Sequence, residues 1–277
     1  MAQTLSTFTR NGLTFDVIDQ GPRDGEIVVL LHGWPQLNTC WNEVMDHLNA
    51  AGYRTIAPNQ RGFALGAMPK NRYAYRMGEL VADIKALMDA IGEPVHLVGH
   101  DWGAAIAWAT AMEHPDKIRT LTAVSVPHPA AFAKAMPRGQ AKESWYMATF
   151  AVPFLPQLIL GDPKRARLAL RVKAKMPAEA FDTYLRDFVG EPARMRSCFG
   201  YYRAVPFVSR KTLRHVAVPT TFIWSDDDVA IARAGVDMCG DYVDADYQLE
   251  VIEGATHWLP DEQPEEVARL IQKRIAS

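Results

Sequence analysis

From Glu26 onward the chain alternates short, wholly apolar runs with amphipathic stretches: EIVVLLHG, CWNEVMDHLNAAG, YRTIAPN, MGELVADIKALMDAIG and PVHLVGHD follow one another. A continuous apolar run marks a strand covered on both faces, and a period near 3.6 marks a helix with one face on a core. Their alternation predicts parallel strands joined by crossover helices, a doubly wound α/β sheet. WGAAIAWATAMEHP continues as an Ala-rich helix suited to close packing under the sheet, and IRTLTAVSVP as the next strand.

After Pro127 the pattern changes. Helical segments are interrupted at Pro137, Pro153, Pro156, Pro163, Pro177, Pro192 and Pro206, and strand-like runs almost disappear. Alternation returns at VPTTFIWSDDD, passes through ARAGVDMCGDYV, and closes with YQLEVIEGATHW and the helix PEEVARLIQKRIA. The predicted organisation is one α/β core, residues 1–127 and 213–277, carrying an inserted helical cap, residues 128–212.

Bulk properties remove several function classes. At 277 residues, 48% hydrophobic and 22% charged, the chain can bury a sizeable core without disulfides or metal. Its net charge is −2, and no Lys/Arg block is dense enough to track a phosphate backbone, so nucleic acid is not an expected partner. MAQTLSTFTRNG has no apolar core of a signal peptide, and the longest apolar run, 150–160, is broken by two prolines; neither secretion nor a membrane span is expected. Cys40, Cys198 and Cys239 are odd in number and outside any CxxC spacing, which argues against a zinc site or disulfide framework and for a cytoplasmic location.

The chemistry is carried by four short segments. VHLVGHDWGAA places Asp101 between Gly99 and Gly103 where a strand turns sharply into a helix, a turn that holds its central residue up at the edge of the sheet. LLHGWP ends an earlier strand, at the place where a loop supplies one backbone amide of an oxyanion hole and the residue after the nucleophile supplies the other. The amides of Trp34 and Trp102 are the candidates. An acid and then a histidine follow in the order this architecture requires: Asp228 after TTFIW, and His257 in the loop GATHW after the last strand. The run SDDD leaves Asp226 and Asp227 open as the acid. His257 alone among the eight histidines lies in a loop after the last strand.

A carboxylate at the turn points to alkyl rather than acyl chemistry, because it is already ionised and can displace a leaving group from carbon. No GxSxG occurs, which excludes a serine esterase of this type. The combination HGWP, GHDWG, SDDDV and GATHW resembles the epoxide hydrolases of the α/β-hydrolase superfamily, with haloalkane dehalogenases as near relatives, over nearly the whole chain. The resemblance implies an α/β-hydrolase fold, a covalent ester on Asp101 opened by a water that His257 and Asp228 activate, and no metal or organic cofactor. It further implies two cap tyrosines on the epoxide oxygen, Tyr146 in SWYM and Tyr202 in FGYYR, with Tyr201 as the other choice for the second.

His32 and Pro35 of HGWP, with Trp258, are assigned to substrate binding. FAVPFLPQLIL and tryptophans 34, 102 and 258 point to a small apolar epoxide, and the chain is expected as a monomer or homodimer. Asn59 in PNQRG and MATFAVP after Tyr146 depart from the family's usual aspartate and its more aromatic cap. Two alternatives stand beside this reading, a dehalogenase using the same aspartate and a non-catalytic small-molecule receptor, since fold alone does not establish function.

Overall fold

The computed structural model describes residues 4–207 and 213–277. Eight strands, β1 (Thr7–Arg10), β2 (Leu13–Gln20), β3 (Ile27–Leu31), β4 (Arg54–Pro58), β5 (Val95–His100), β6 (Ile118–Val124), β7 (Thr220–Ser225) and β8 (Tyr247–Ile252), form one sheet in the order β1-β2-β4-β3-β5-β6-β7-β8. From β4 to β8 all neighbours are parallel, while β1 and β2 pair antiparallel. The runs VVLL and VHLVGH are buried at every residue, as strands covered on both sides must be.

The hairpin β1–β2 lies before the apolar-run pattern begins. Its turn is Asn11-Gly12, both with positive φ (51° and 76°), the pair that lets a two-residue loop follow the right-handed twist of its strands. Helices α1 (Asn42–Ala50), α2 (Met77–Ile91) and α3 (Trp102–Glu113) cross between the parallel strands. The first of these packs with the C-terminal helix Pro264–Ile275 on one face, through Val44, Leu48, Val267 and Ile271. On the other face α2 and α3 contribute Leu87, Ala104, Ala107 and Ala111 to the larger core cluster. Small residues let α3 run close under the sheet, its Gly103, Ala104, Ala107, Ala109 and Ala111 all buried.

Between β6 and β7 the described chain is helical. The first of these helices, Pro129–Ala135, buries Ala130 and Ala131 against Tyr242 of the core. His128 accepts the Ala130 amide at 3.1 Å and thereby caps that helix. The start of the expected insertion is therefore packed on the α/β layer rather than on the remainder of the cap. Its expected end, at 212, lies outside the described residues.

The strand-to-helix turn at Asp101 depends on two glycines for space. A Cβ on Gly99 would lie 2.3 Å from the carbonyl oxygen of Gly103, and one on Gly103 would lie 2.1 Å from that of Leu31. Both obstacles are backbone atoms, one in α3 and one at the end of β3, which cannot yield as a flexible side chain can. Gly103→Ala is expected to lower stability by about 3 kcal/mol or more, measured as a drop in the urea midpoint. An unchanged midpoint would mean that α3 can move away from β3 after all.

Candidate active site

Asp101 occupies the point between β5 and α3 with φ 53° and ψ −118°. A non-glycine residue in the left-handed half of the map is uncommon, and here the geometry lifts the carboxylate clear of the sheet edge. Its Oδ1 accepts the Trp34 amide at 2.7 Å. Burial by itself would raise the pKa of Asp101, but His257, His100 and that amide outweigh it and hold the carboxyl below its usual value. The group is ionised at neutral pH.

His257 lies between two carboxylates. Its Nδ1 is 2.7 Å from Asp228 Oδ2, and its Nε2 is 3.6 Å from Asp101 Oδ2. The Asp228 side chain is fully buried and its other oxygen accepts the amides of Ala230 (2.7 Å) and Ile231 (3.1 Å), so it is fixed from both sides. The two competing acids are engaged elsewhere: Asp226 accepts the Gly254 amide at 2.7 Å, and Asp227 pairs with Lys175. The His257 backbone is also held, its carbonyl accepting from His100 Nε2 (2.9 Å) and from the Ser125 hydroxyl (3.0 Å). Burial would depress the His257 pKa, yet Asp228 and Asp101 together push it up to about 10. The imidazole is thus cationic while both carboxylates are free.

A cavity of about 490 Å³ opens over this group, within the range of small-molecule sites. Asp101, His257, Trp34 and Trp258 form its floor, and Tyr146, Phe150, Leu170 and Tyr202 come down from the cap. Tyr202 is almost wholly buried and Tyr146 half-buried, their ring centroids 6.5 Å apart. Burial first, and the neighbouring Asp101 charge second, push both phenols above the ordinary tyrosine pKa. They stay protonated and can donate.

Several residues take different places from those the sequence suggests. Tyr201 does not line the cavity. It packs against Phe63, Tyr75 and Trp102, with its hydroxyl buried and unpartnered. The ring of Trp102 likewise stands edge-on to Tyr201 and Tyr202, outside the cavity wall. Among the described residues no hydrogen bond joins the Trp102 amide to Asp101, so Trp34 alone occupies the donor position in this state.

His32 and Pro35 are buried beneath the cavity and do not line it. His32 ties its loop to the segment after β4: Nδ1 donates to the Gly33 carbonyl at 3.0 Å and Nε2 accepts the Gln60 amide at 3.1 Å. Burial drives its pKa down to about 4, which keeps the ring neutral for both bonds. Pro35 follows Trp34 in the same loop. Trp258 does line the cavity, fixed by an indole bond to the Ala174 carbonyl at 2.7 Å.

Other participants carry no sequence signal. Buried Gln140 of the cap donates to the Ala230 carbonyl (2.7 Å) and accepts the Ala232 amide (2.9 Å). It therefore clasps the loop that follows Asp228. Glu143, Arg165 and Lys173 stand on the cavity wall. The three cysteines are free thiols, and among the described residues no group of three or more His, Cys, Asp or Glu side chains is arranged for a metal. None of the described helices is long and apolar enough to cross a membrane.

The chain is similar to known proteins over most of its length. The family model described as alpha/beta hydrolase fold matches residues 26–264. The AB hydrolase superfamily protein YfhM of Bacillus subtilis is 31% identical, with 94% of each chain covered. Epoxide hydrolase 3 of Xenopus tropicalis is 29% identical over 95% of this chain and 74% of its own. Among solved structures, one of the novel epoxide hydrolases from metagenomes of hot environments covers all of both chains at 28% identity with a TM-score of 0.86. Epoxide hydrolase VrEH1 of Vigna radiata covers 99% of this chain and 97% of its own, at 26% identity and a TM-score of 0.81.

Proposed function

The chain belongs to the α/β-hydrolase fold family, and from that premise we propose that it is an epoxide hydrolase that forms a covalent ester on Asp101. The observation that carries the reading is the shared cavity: a carboxylate nucleophile on its floor and two protonated tyrosines above it. The names of the relatives point the same way.

In the first step an Asp101 oxygen attacks an epoxide carbon and the C–O bond breaks. The electron pair goes to the ring oxygen, which needs a proton, and Tyr146 and Tyr202 are placed to donate to it. Charge then balances in a useful way. Once Asp101 is a neutral ester, His257 has lost one of its two counter-charges, and burial pulls its pKa down. The phenol that gives its proton to the ring oxygen recovers one from His257, so that the ester, the imidazole, both phenols and the new hydroxyl are all neutral.

In the second step His257 takes a proton from water as the water attacks the ester carbonyl, with Asp228 steadying the imidazolium. The negative charge forming on the Asp101 carboxyl oxygen meets the Trp34 amide. Collapse releases a vicinal diol, whose alkoxide recovers the proton from His257, and the Asp101 carboxylic acid left behind gives its proton to the imidazole, which restores the starting ion pair. The walls of Trp34, Phe150, Leu160, Leu170 and Trp258 suit an apolar substrate. A halide would want a free indole N–H in the cavity beside the nucleophile, whereas Trp102 does not line the cavity and its indole N–H is engaged by the Tyr202 hydroxyl.

Oxygen-18 water tests the covalent step. In a single turnover the label is expected in Asp101 before it reaches the diol, read by mass spectrometry of the peptide that contains it. Label in the first-turnover diol would mean that water attacks the epoxide carbon directly.

A further inference from the structure

The cap carries a concentration of exposed apolar side chains beside the cavity mouth. Seven of the twelve large hydrophobic residues most exposed among those described fall between positions 145 and 172. Phe154 (72% exposed), Leu158 (65%), Leu168 (55%) and Val172 (63%) belong to two consecutive helical segments, Leu155–Leu160 with Phe154 as its N-cap and 163–173, joined by a short turn. These segments touch, since Arg165 donates to the Leu158 carbonyl at 3.2 Å. Leu168 and Trp145, the latter 63% exposed, also line the cavity. The patch and the mouth are continuous.

The same segment is cationic. Positions 163–178 hold six Lys and Arg and no carboxylate, in a chain whose net charge is −2. Lys164, Arg165, Arg167 and Lys173 are exposed and form no ion pair among the described residues, and only Lys175 is matched, by Asp227. The adjacent carboxylate of Asp162 is occupied in accepting the Arg165 amide. An intramolecular salt-bridge network would use such charges; here Lys164 and Arg167 are exposed beside the apolar side chains, and Arg165 and Lys173 stand at the cavity wall next to them. That pairing of exposed aromatic and aliphatic groups with surrounding cations is what an anionic interface recognises.

We propose that this face of the cap docks on an anionic lipid bilayer, with Phe154 and Leu158 entering the headgroup layer and the cavity mouth turned toward it. Docking itself does not depend on the chemistry proposed above; delivery of an apolar epoxide from the bilayer into the cavity does. Vesicle flotation of the whole protein tests the docking without reference to turnover. Binding is expected with vesicles of equal parts phosphatidylcholine and phosphatidylserine, weakened by added salt, and much less with phosphatidylcholine alone.

Lys164→Gln with Arg167→Gln is expected to lower the partition coefficient about tenfold or more. Phe154→Ser with Leu158→Ser should do the same through lost apolar insertion. Thermal melting of each variant checks that the cap is intact. Equal binding to both vesicle types, no binding to either, or binding unchanged in both double variants would overturn the proposal. A concentration-dependent dimer that Phe154→Ser with Leu158→Ser dissolves, in a protein that ignores vesicles, would assign the face to a second copy of the chain instead.

Discussion

His257→Gln is expected to react once and then stop. The attack on substrate needs the Asp101 carboxylate and a proton donor on the ring oxygen, neither of which the imidazole supplies, whereas hydrolysis of the ester needs a base. Steady-state turnover should fall by about 10³ or more, while intact-mass measurement finds enzyme heavier by one substrate and rapid quench finds a burst. Lack of both burst and adduct would remove His257 from the role of base. The same reasoning separates the acids. Asp228 bonds His257 Nδ1, whereas Asp226 is exposed and holds only the Gly254 amide, so Asp228→Asn should slow turnover far more than Asp226→Asn.

Removal of both cap hydroxyls, Tyr146→Phe with Tyr202→Phe, should nearly abolish epoxide opening. Each single change is expected to cost on the order of 10², because an epoxide oxygen departs tethered to the substrate and must be protonated before it can re-close the ring. Phe retains the edge-to-face packing of these rings with each other and with Phe150, so an unchanged melting temperature is expected beside the lost activity. Tyr201→Phe supplies the contrast. Its hydroxyl is buried without a partner, and its removal should leave turnover intact and stability equal or higher. A double variant that opens epoxides at the parent rate would sink the assignment of both tyrosines, and halide release from haloalkanes outpacing any diol formation would favour the dehalogenase.

Much of this was legible in the chain because the chemistry sits where elements begin and end. Continuous apolar runs give the parallel strands, and an aspartate between two glycines after such a run, with an Ala-rich helix behind it, marks a sharp turn. Three things were hidden, each for a physical reason. The choice among Asp226, Asp227 and Asp228 is made by partners far along the chain, Gly254, Lys175 and His257. Adjacent tyrosines on one helix point about 100° apart, and packing against Phe63 and Tyr75 decides that Tyr201 turns inward. His32 sits in a recognisable motif, yet one ring nitrogen is used by Gly33 beside it and the other by the Gln60 amide in the segment after β4, which no local pattern reveals. Gln140 and the cations of the cap belong to no motif at all.

The clasp of Gln140 on the Ala230–Ala232 loop has a consequence for anyone who would exchange caps between relatives of this fold. Its amide spends one donor and its acceptor on backbone atoms two and four residues beyond Asp228, so the segment that orients the acid is shaped in part by the insertion. A transplanted cap lacking an amide at that position would leave the Ala230 carbonyl and Ala232 amide without partners, and the acid would inherit the slack. Position 140 and the loop after Asp228 therefore form one heritable unit although ninety residues separate them, and grafts should carry both across together.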